Sequence, residues 1–218
     1  MGARFDLLVF DWDGTIVDSA QHIVDSIQAA CQDLGLAVPS ADDARHIIGL
    51  GMHDALSYLL PGLPASDYPR LAERYRCHYL SGDHTVQLFG GVRAGIERLR
   101  AAGFLLGVAT GKSRRGLERA LDDSGLRPYF HASRCADEGF SKPHPEMLQF
   151  LMDALGVRPE RTLMIGDTSH DLEMARAASV AALAVAYGAH PHDKLLPLEP
   201  VACVFTFTEA MAWLSANA

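Results

Sequence analysis

Residues 9–19 read VFDWDGTIVDS, an apolar run that ends on two aspartates, Asp11 and Asp13, with Trp12 between them and Gly14 behind. A short apolar stretch closed by Asp and Gly has the length and composition of a strand buried on both faces. In an extended chain residues two apart point to one side, so Asp11 and Asp13 share a face while Trp12 turns to the other. Carboxylates that close repel each other, and leaving both charged at a sheet end is costly without a cation. The pair therefore marks either a plain turn at Asp13-Gly14-Thr15 or a cation site at a strand end.

Outward from this stretch, the same rhythm repeats. Residues 5–10, 104–109, 162–165 and 180–186 are short, nearly continuous apolar runs bounded by Gly or Asp, and each reads as a buried strand. Between them lie helical patterns: residues 92–102 stop at Gly103, another begins after Ser113, and the segment after Pro145 ends at Gly156. Strand and helix in alternation predict an α/β fold, a doubly wound parallel sheet covered on both faces, with ligands at the carboxyl ends of the strands. One segment breaks the pattern. From Ser19 to about Gly82 only helical patterns occur, the first carrying Ala20, Ile23, Val24, Ile27, Ala30, Cys31 and Leu34 and closing at Gly35. The expected organisation is a discontinuous core, residues 1–16 and 84–218, interrupted by a small all-helical cap, residues 17–83. Its hinges are expected at 14–18 and near Phe89-Gly90-Gly91.

Composition narrows the function. The chain has 218 residues, is 49 % hydrophobic and carries a net charge of −8 with no Lys/Arg-rich run, which argues against a nucleic-acid or anionic-membrane surface. Cys31, Cys77, Cys135 and Cys203 form no C-x-x-C pair and read as reduced, mostly buried thiols. No apolar stretch approaches the roughly 20 residues of a membrane span and no signal segment is visible, so a cytoplasmic location is expected.

The other strand ends carry chemistry too. The run ending at Ala109 continues Thr110-Gly111-Lys112-Ser113, a hydroxyl and a helix start whose free N–H groups suit an anion. The run ending at Ile165 continues Gly166-Asp167-Thr168-Ser169-His170-Asp171, and Ser141-Lys142-Pro143-His144-Pro145 places a lysine before a helix. On a parallel sheet these stretches converge on one crevice holding carboxylates for a metal, a hydroxyl, backbone donors and an ammonium. Such a set suits phosphoryl transfer, where charge must be neutralised and phosphorus held in line.

With Asp11-Trp12-Asp13-Gly14-Thr15, Thr110, Lys142 and Gly166-Asp167 through Asp171 in this order, the chain resembles the haloacid dehalogenase superfamily, in its phosphoglycolate phosphatase-like branch. The resemblance implies a Rossmann-like core with a helical cap and a Mg2+-dependent phosphatase of a small phosphorylated metabolite, 2-phosphoglycolate being the leading candidate. It implies Asp11 as nucleophile, forming an aspartyl-phosphate, and Asp13 as general acid and then base. Thr110, Gly111 and Lys142 would hold the phosphoryl group. Asp167, Asp11 and the Asp13 carbonyl would hold the metal, and Asp171 would orient a metal-bound water or Lys142. A sugar phosphomutase of the same branch is the alternative, followed by a phospho-accepting signalling module. A monomer or homodimer is expected.

Three positions depart from the common pattern: Trp12 is large, Gly111 stands where Asn is common, and Gly90 replaces the usual Pro. Specificity is expected from the cap, in the stretch Arg45-His46-Ile47-Ile48-Gly49-Leu50-Gly51-Met52-His53, where the glycines allow close approach to a ligand. Arg45 is a candidate partner for a substrate carboxylate, and His46, Gly49 and Gly51 complete the candidate set. The ten histidines show no H-x-x-x-H signature, and His22, His78, His84 and His131 read as surface or satisfied residues.

Overall fold

The opening apolar run forms strand β1 (Leu7–Phe10), and four helices follow it: α1 (Ala20–Asp33), α2 (Ala41–His46), α3 (Met52–Leu59) and α4 (Tyr68–Leu80). The chain then alternates through α5 (Val92–Ala101), β2 (Leu105–Thr110), α6 (Arg114–Ser124), β3 (Ala132–Cys135), α7 (Glu146–Leu155), β4 (Thr162–Gly166) and α8 (Ser169–Ala177). It ends with β5 (Ala181–Val185), α9 (His192–Leu195), β6 (Ala202–Val204) and α10 (Phe207–Asn217). This computed structural model describes residues 4–81 and 87–218, so His84 and the expected boundary at 83/84 lie outside the described residues.

The six strands are all parallel and ordered β3-β2-β1-β4-β5-β6. β1 sits between β2 and β4, at the point where the winding reverses and ligand crevices form. Side chains alternate as the pleat requires. Leu8, Phe10, Leu106, Val108, Leu163 and Ile165 face one cluster with α5, α6 and α10, while Leu7, Val9, Ala109 and Met164 face the other with α7 and α8. Trp12 continues the first set, buried with its indole edge-on to Phe130 at 6.1 Å, so its size is absorbed by the core.

Helix ends follow local chemistry. Ser113 accepts from Gly116 N and starts α6, whereas Gly125 and Gly156, in left-handed conformation, end α6 and α7. β3 and β6 were not expected. Both are short strands at the sheet edges with partly exposed side chains; β3 carries Ser133 and Arg134, and β6 is only three residues long.

Helices α1 to α4 enclose a core of their own, including Val24, Ile27, Cys31, Leu56 and Leu71. Val17 bridges both Asp13 and Leu88, so the two crossings of the insertion lie side by side. Cys31 and Cys135 are buried and Cys203 half-buried, but Cys77 is exposed. Among the described residues no helix is long and apolar enough to cross a membrane.

Candidate active site

The ladder between β1 and β4 runs one residue past β1, because Asp11 N donates to Ile165 O at 2.9 Å. That bond fixes the Asp11 backbone at the strand end. Its carboxylate meets Lys142, whose Nζ is 2.7 Å from Asp11 Oδ1 and 2.7 Å from Asp171 Oδ1, with all three side chains sealed from solvent. Asp171 is held by its own helix start: Thr168 N and Oγ1 donate to Asp171 Oδ2, completing a capping box for α8. Asp171 is thereby held against Lys142. Asp11 Oδ2 is buried and has no hydrogen-bond partner among the described residues.

Asp167 stands across the same gap. Thr15 Oγ1 donates to its Oδ1 and Ala189 N to its Oδ2, each at 2.7 Å. A Cβ on Gly14 would lie 2.1 Å from Asp167 Oδ2, and one on Gly188 2.2 Å from the same atom, so the carboxylate fits only between two glycines. At Gly14 the backbone also takes φ +82°, which L residues with side chains rarely adopt.

Asp13 has separate partners. Ser19 Oγ donates to Oδ1 at 2.7 Å, and Lys112 Nζ lies 3.0 Å from Oδ2. Lys112 also donates to the hydroxyl of Tyr79 on α4, 3.1 Å away. Thr110 is fully buried, and its Oγ1 accepts from Lys112 N at 3.2 Å, which folds the loop after β2 back on itself.

Over this loop lies the segment 47–51. A Cβ on Gly111 would meet Leu50 O at 2.5 Å and Gly49 O at 2.6 Å, so the missing asparagine side chain corresponds to space taken by the insertion's backbone. Gly51 N donates to Ser141 Oγ at 2.6 Å, tying the segment to the loop that carries Lys142. Gly49 and Gly51 lie close against the core, where a Cβ on Gly49 would meet Thr168 Oγ1 at 3.3 Å and one on Gly51 would meet Ala136 and Ser141 at 3.1 Å. Arg45 does not join the carboxylates: it is half-buried and donates to Gln21 on α1.

His46 ends α2, and its carbonyl accepts from two core imidazoles, His170 Nε2 at 2.7 Å and His190 Nε2 at 3.1 Å. Ser169 N donates to His190 Nδ1, which fixes the proton of that ring on Nε2. The three rings gather closely enough to hold a metal, but that tautomer spends both His190 nitrogens on hydrogen bonds, so the cluster is a clamp. Burial lowers the pKa of His170, and lowers that of His190, with help from His170, to about 4, so both donate as neutral rings. His22 contacts the Tyr79 carbonyl, His78 pairs with Asp33, and His131 accepts from Leu106 N.

The charge balance of the centre is unfavourable as it stands. Burial raises the pKa of Asp11 well above the carboxylate range, with Lys142 opposing and Asp171 and Asp167 adding to the rise. Burial and Asp171 push Asp167 up to about 7. Burial works against the charge of Lys142, yet Asp11 and Asp171 more than offset it and raise its pKa. Asp11, Asp167 and Asp171 hold oxygens within 4.8 Å of one another. An all-carboxylate set with an unpartnered Asp11 oxygen fits a hard divalent cation such as Mg2+.

Sequence reading missed Lys112, Thr15, Ser19 and His190. Lys112 lies inside the quoted Thr110–Ser113 loop, but only the fold shows that its ammonium turns to Asp13.

A family model described as haloacid dehalogenase-like hydrolase matches residues 8–185. The "Probable phosphatase IndB" of Dickeya dadantii is 35 % identical over 211 residues, 94 % of this chain and 91 % of that protein. A phosphoglycolate phosphatase of Agrobacterium fabrum is 31 % identical, with 89 % of this chain and 85 % of that protein covered. The fold is also that of a solved haloacid dehalogenase-like hydrolase from Streptococcus pneumoniae, at TM-score 0.82 and 23 % identity, covering 96 % of this chain and 98 % of that one. Matched along most of its length, the chain belongs to the haloacid dehalogenase-like hydrolase family, in its phosphoglycolate phosphatase-like branch.

Proposed function

We propose that the protein hydrolyses a small phosphate monoester, with 2-phosphoglycolate the leading candidate, through a phosphorylated Asp11. The observation that carries this reading is the buried Asp11 carboxylate, with Oδ2 unpartnered and Oδ1 beside Lys142. Asp11 attacks phosphorus, the P–O bond to the alcohol breaks, and Asp13 gives its proton to the departing oxygen. Asp13 then takes a proton from water, whose oxygen attacks phosphorus and frees Asp11. Lys142 and the Thr110–Gly111 loop receive the phosphoryl oxygens, Lys142 being kept in place by Asp171. Asp11, Asp167 and the Asp13 carbonyl would hold Mg2+, which when bound offsets the negative charge of carboxylates and phosphate together. The insertion's segment 47–51, packed on Gly111, keeps bulk water from the loop.

The test is phosphate release from 2-phosphoglycolate, sugar phosphates and nucleoside monophosphates, with Mg2+ and with chelator. Release of free phosphate that requires Mg2+ is expected. Conversion of a hexose 1-phosphate to its 6-phosphate would assign a mutase instead, and silence across the panel from folded protein would overturn the reading.

A further inference from the structure

The loop that leaves β5 supplies none of the reacting groups, yet four consecutive residues of it close around Asp167. Gly188 lies against the carboxylate, where a Cβ would stand 2.2 Å from Oδ2 and 2.4 Å from Gly14 O. Ala189 N donates to Oδ2 at 2.7 Å, and His190 N donates to the Asp167 carbonyl at 3.3 Å. Tyr187 reaches the same carboxylate through an intermediary. Its hydroxyl donates to Thr15 O at 3.0 Å, and Thr15 Oγ1 donates to Asp167 Oδ1 at 2.7 Å.

The intermediary depends on that hydroxyl. Thr15 sits in the turn after Gly14, where Thr15 N, Ile16 N and Val17 N all point to Trp12 O, and the Thr15 contact is the longest of the three, 3.4 Å against 2.9 and 3.1 Å. Its amide is therefore weakly held. On the carbonyl side, Tyr187 is the hydrogen-bond donor to Thr15 O among the described residues. Tyr187 is fixed in turn: its ring stands edge-on to Phe89 at 4.6 Å, and Phe89 N donates to Ile16 O at 3.1 Å. One half-buried side chain thus joins the chain leaving for the insertion to the chain returning from it, and anchors the threonine that holds Asp167.

We propose that Tyr187 is a positioning residue of the metal centre, its hydroxyl holding the Asp167 carboxylate, through Thr15, ready to receive Mg2+. The inference rests on the reading of Asp167 as a Mg2+ ligand. Hydrogen bonds to a ligating carboxylate fix its orientation before the cation arrives, and removing such outer partners costs 10–100-fold in metal affinity.

The test is a Mg2+ titration of the metal-free chain at pH 8, read as the Mg2+-dependent rise in Tm. Each variant is compared with its own metal-free Tm, so packing lost in the fold cancels. Tyr187→Phe, which keeps the ring against Phe89 and removes the hydroxyl, is expected to raise the half-saturating Mg2+ concentration about tenfold. Thr15→Val should raise it at least as much, while Thr15→Ser, which keeps the donor, should stay within about threefold of the wild type. Because Tyr187 acts through Thr15, Tyr187→Phe placed in the Thr15→Val background should add no more than about twofold. Wild-type Mg2+ response in Tyr187→Phe, or a full tenfold loss added in the Thr15→Val background, would overturn the role of Tyr187 and leave the metal assignment standing. A wild-type Tm that does not respond to Mg2+ would overturn both.

Discussion

At Asp11, burial, Asp171 and Asp167 oppose the charge that a nucleophile needs, and Lys142 favours it. Replacing the carboxylate with an amide of the same shape removes that conflict along with the chemistry. Asp11→Asn is therefore expected to lower turnover at least about 1,000-fold, since an amide cannot form the acyl phosphate. Metal-free Asp11→Asn should also melt higher than the wild type at pH 8, because a charge held against its burial has gone. Thermal melts beside phosphate-release assays check both; a variant that melts lower would show that the Lys142 contact outweighs the burial of Asp11. Asp11, Thr110 and Asp167 stand at or just past the ends of β1, β2 and β4, so the expected strands alone bring them to one edge, whereas Lys142 follows the unexpected β3 and Asp171 belongs to the start of α8. Thr15, Ser19 and Lys112 were not legible, since each reaches its carboxylate through a loop whose path depends on what packs over it.

Among the elements, the segment between α2 and α3 lies over the loop that follows β2. It is held at three points: the His46 carbonyl under His170 and His190, Gly49 against Thr168, and Gly51 N on Ser141 Oγ. A methyl at Gly111 would strike two backbone carbonyls, which cannot yield as a flexible side chain can. Gly111→Ala is thus expected to lift the segment, and amide exchange at Gly51 should quicken at least about tenfold while β1 amides keep their protection. Unchanged exchange at Gly51 would mean that the core loop moves instead. His190→Ala removes one of the two donors and is expected to act in the same direction, more weakly. The helices of this region could be read from periodicity and caps, but the clamp could not: His46, His170 and His190 are brought together only by packing the insertion on the core. The edge strands β3 and β6 escaped for reasons of their own: β3 is interrupted by Ser133 and Arg134, and β6, though apolar, is only three residues long.

For the molecule as a whole, the buried carboxylates tie stability to pH and metal with a definite sign. Burial and Asp171 push Asp167 up to about 7 in the fold, above the ordinary carboxylate range, and Asp11 is also raised. A carboxyl whose folded pKa is raised contributes stability that is complete below its unfolded pKa and is lost as pH rises through the folded one. Other groups act at lower pH. Asp6, Asp33, Glu118, Asp122 and Glu138 are lowered, so their contribution disappears only as pH falls into the carboxylate range. His170 and His190 are lowered as well, and they favour the fold increasingly as pH rises towards 6.5. Between pH 6.5 and 8 the acidic centre therefore dominates, and metal-free protein should lose a few °C of Tm across that interval. A divalent cation competes with protons for the same oxygens, so Mg2+ should raise Tm more at pH 8 than at pH 6.5. Melts in chelator and in excess Mg2+ at the two pH values measure both effects. A Tm that rises with pH in chelator, or a Mg2+ shift larger at pH 6.5, would mean that Asp11 and Asp167 do not form the metal-binding centre.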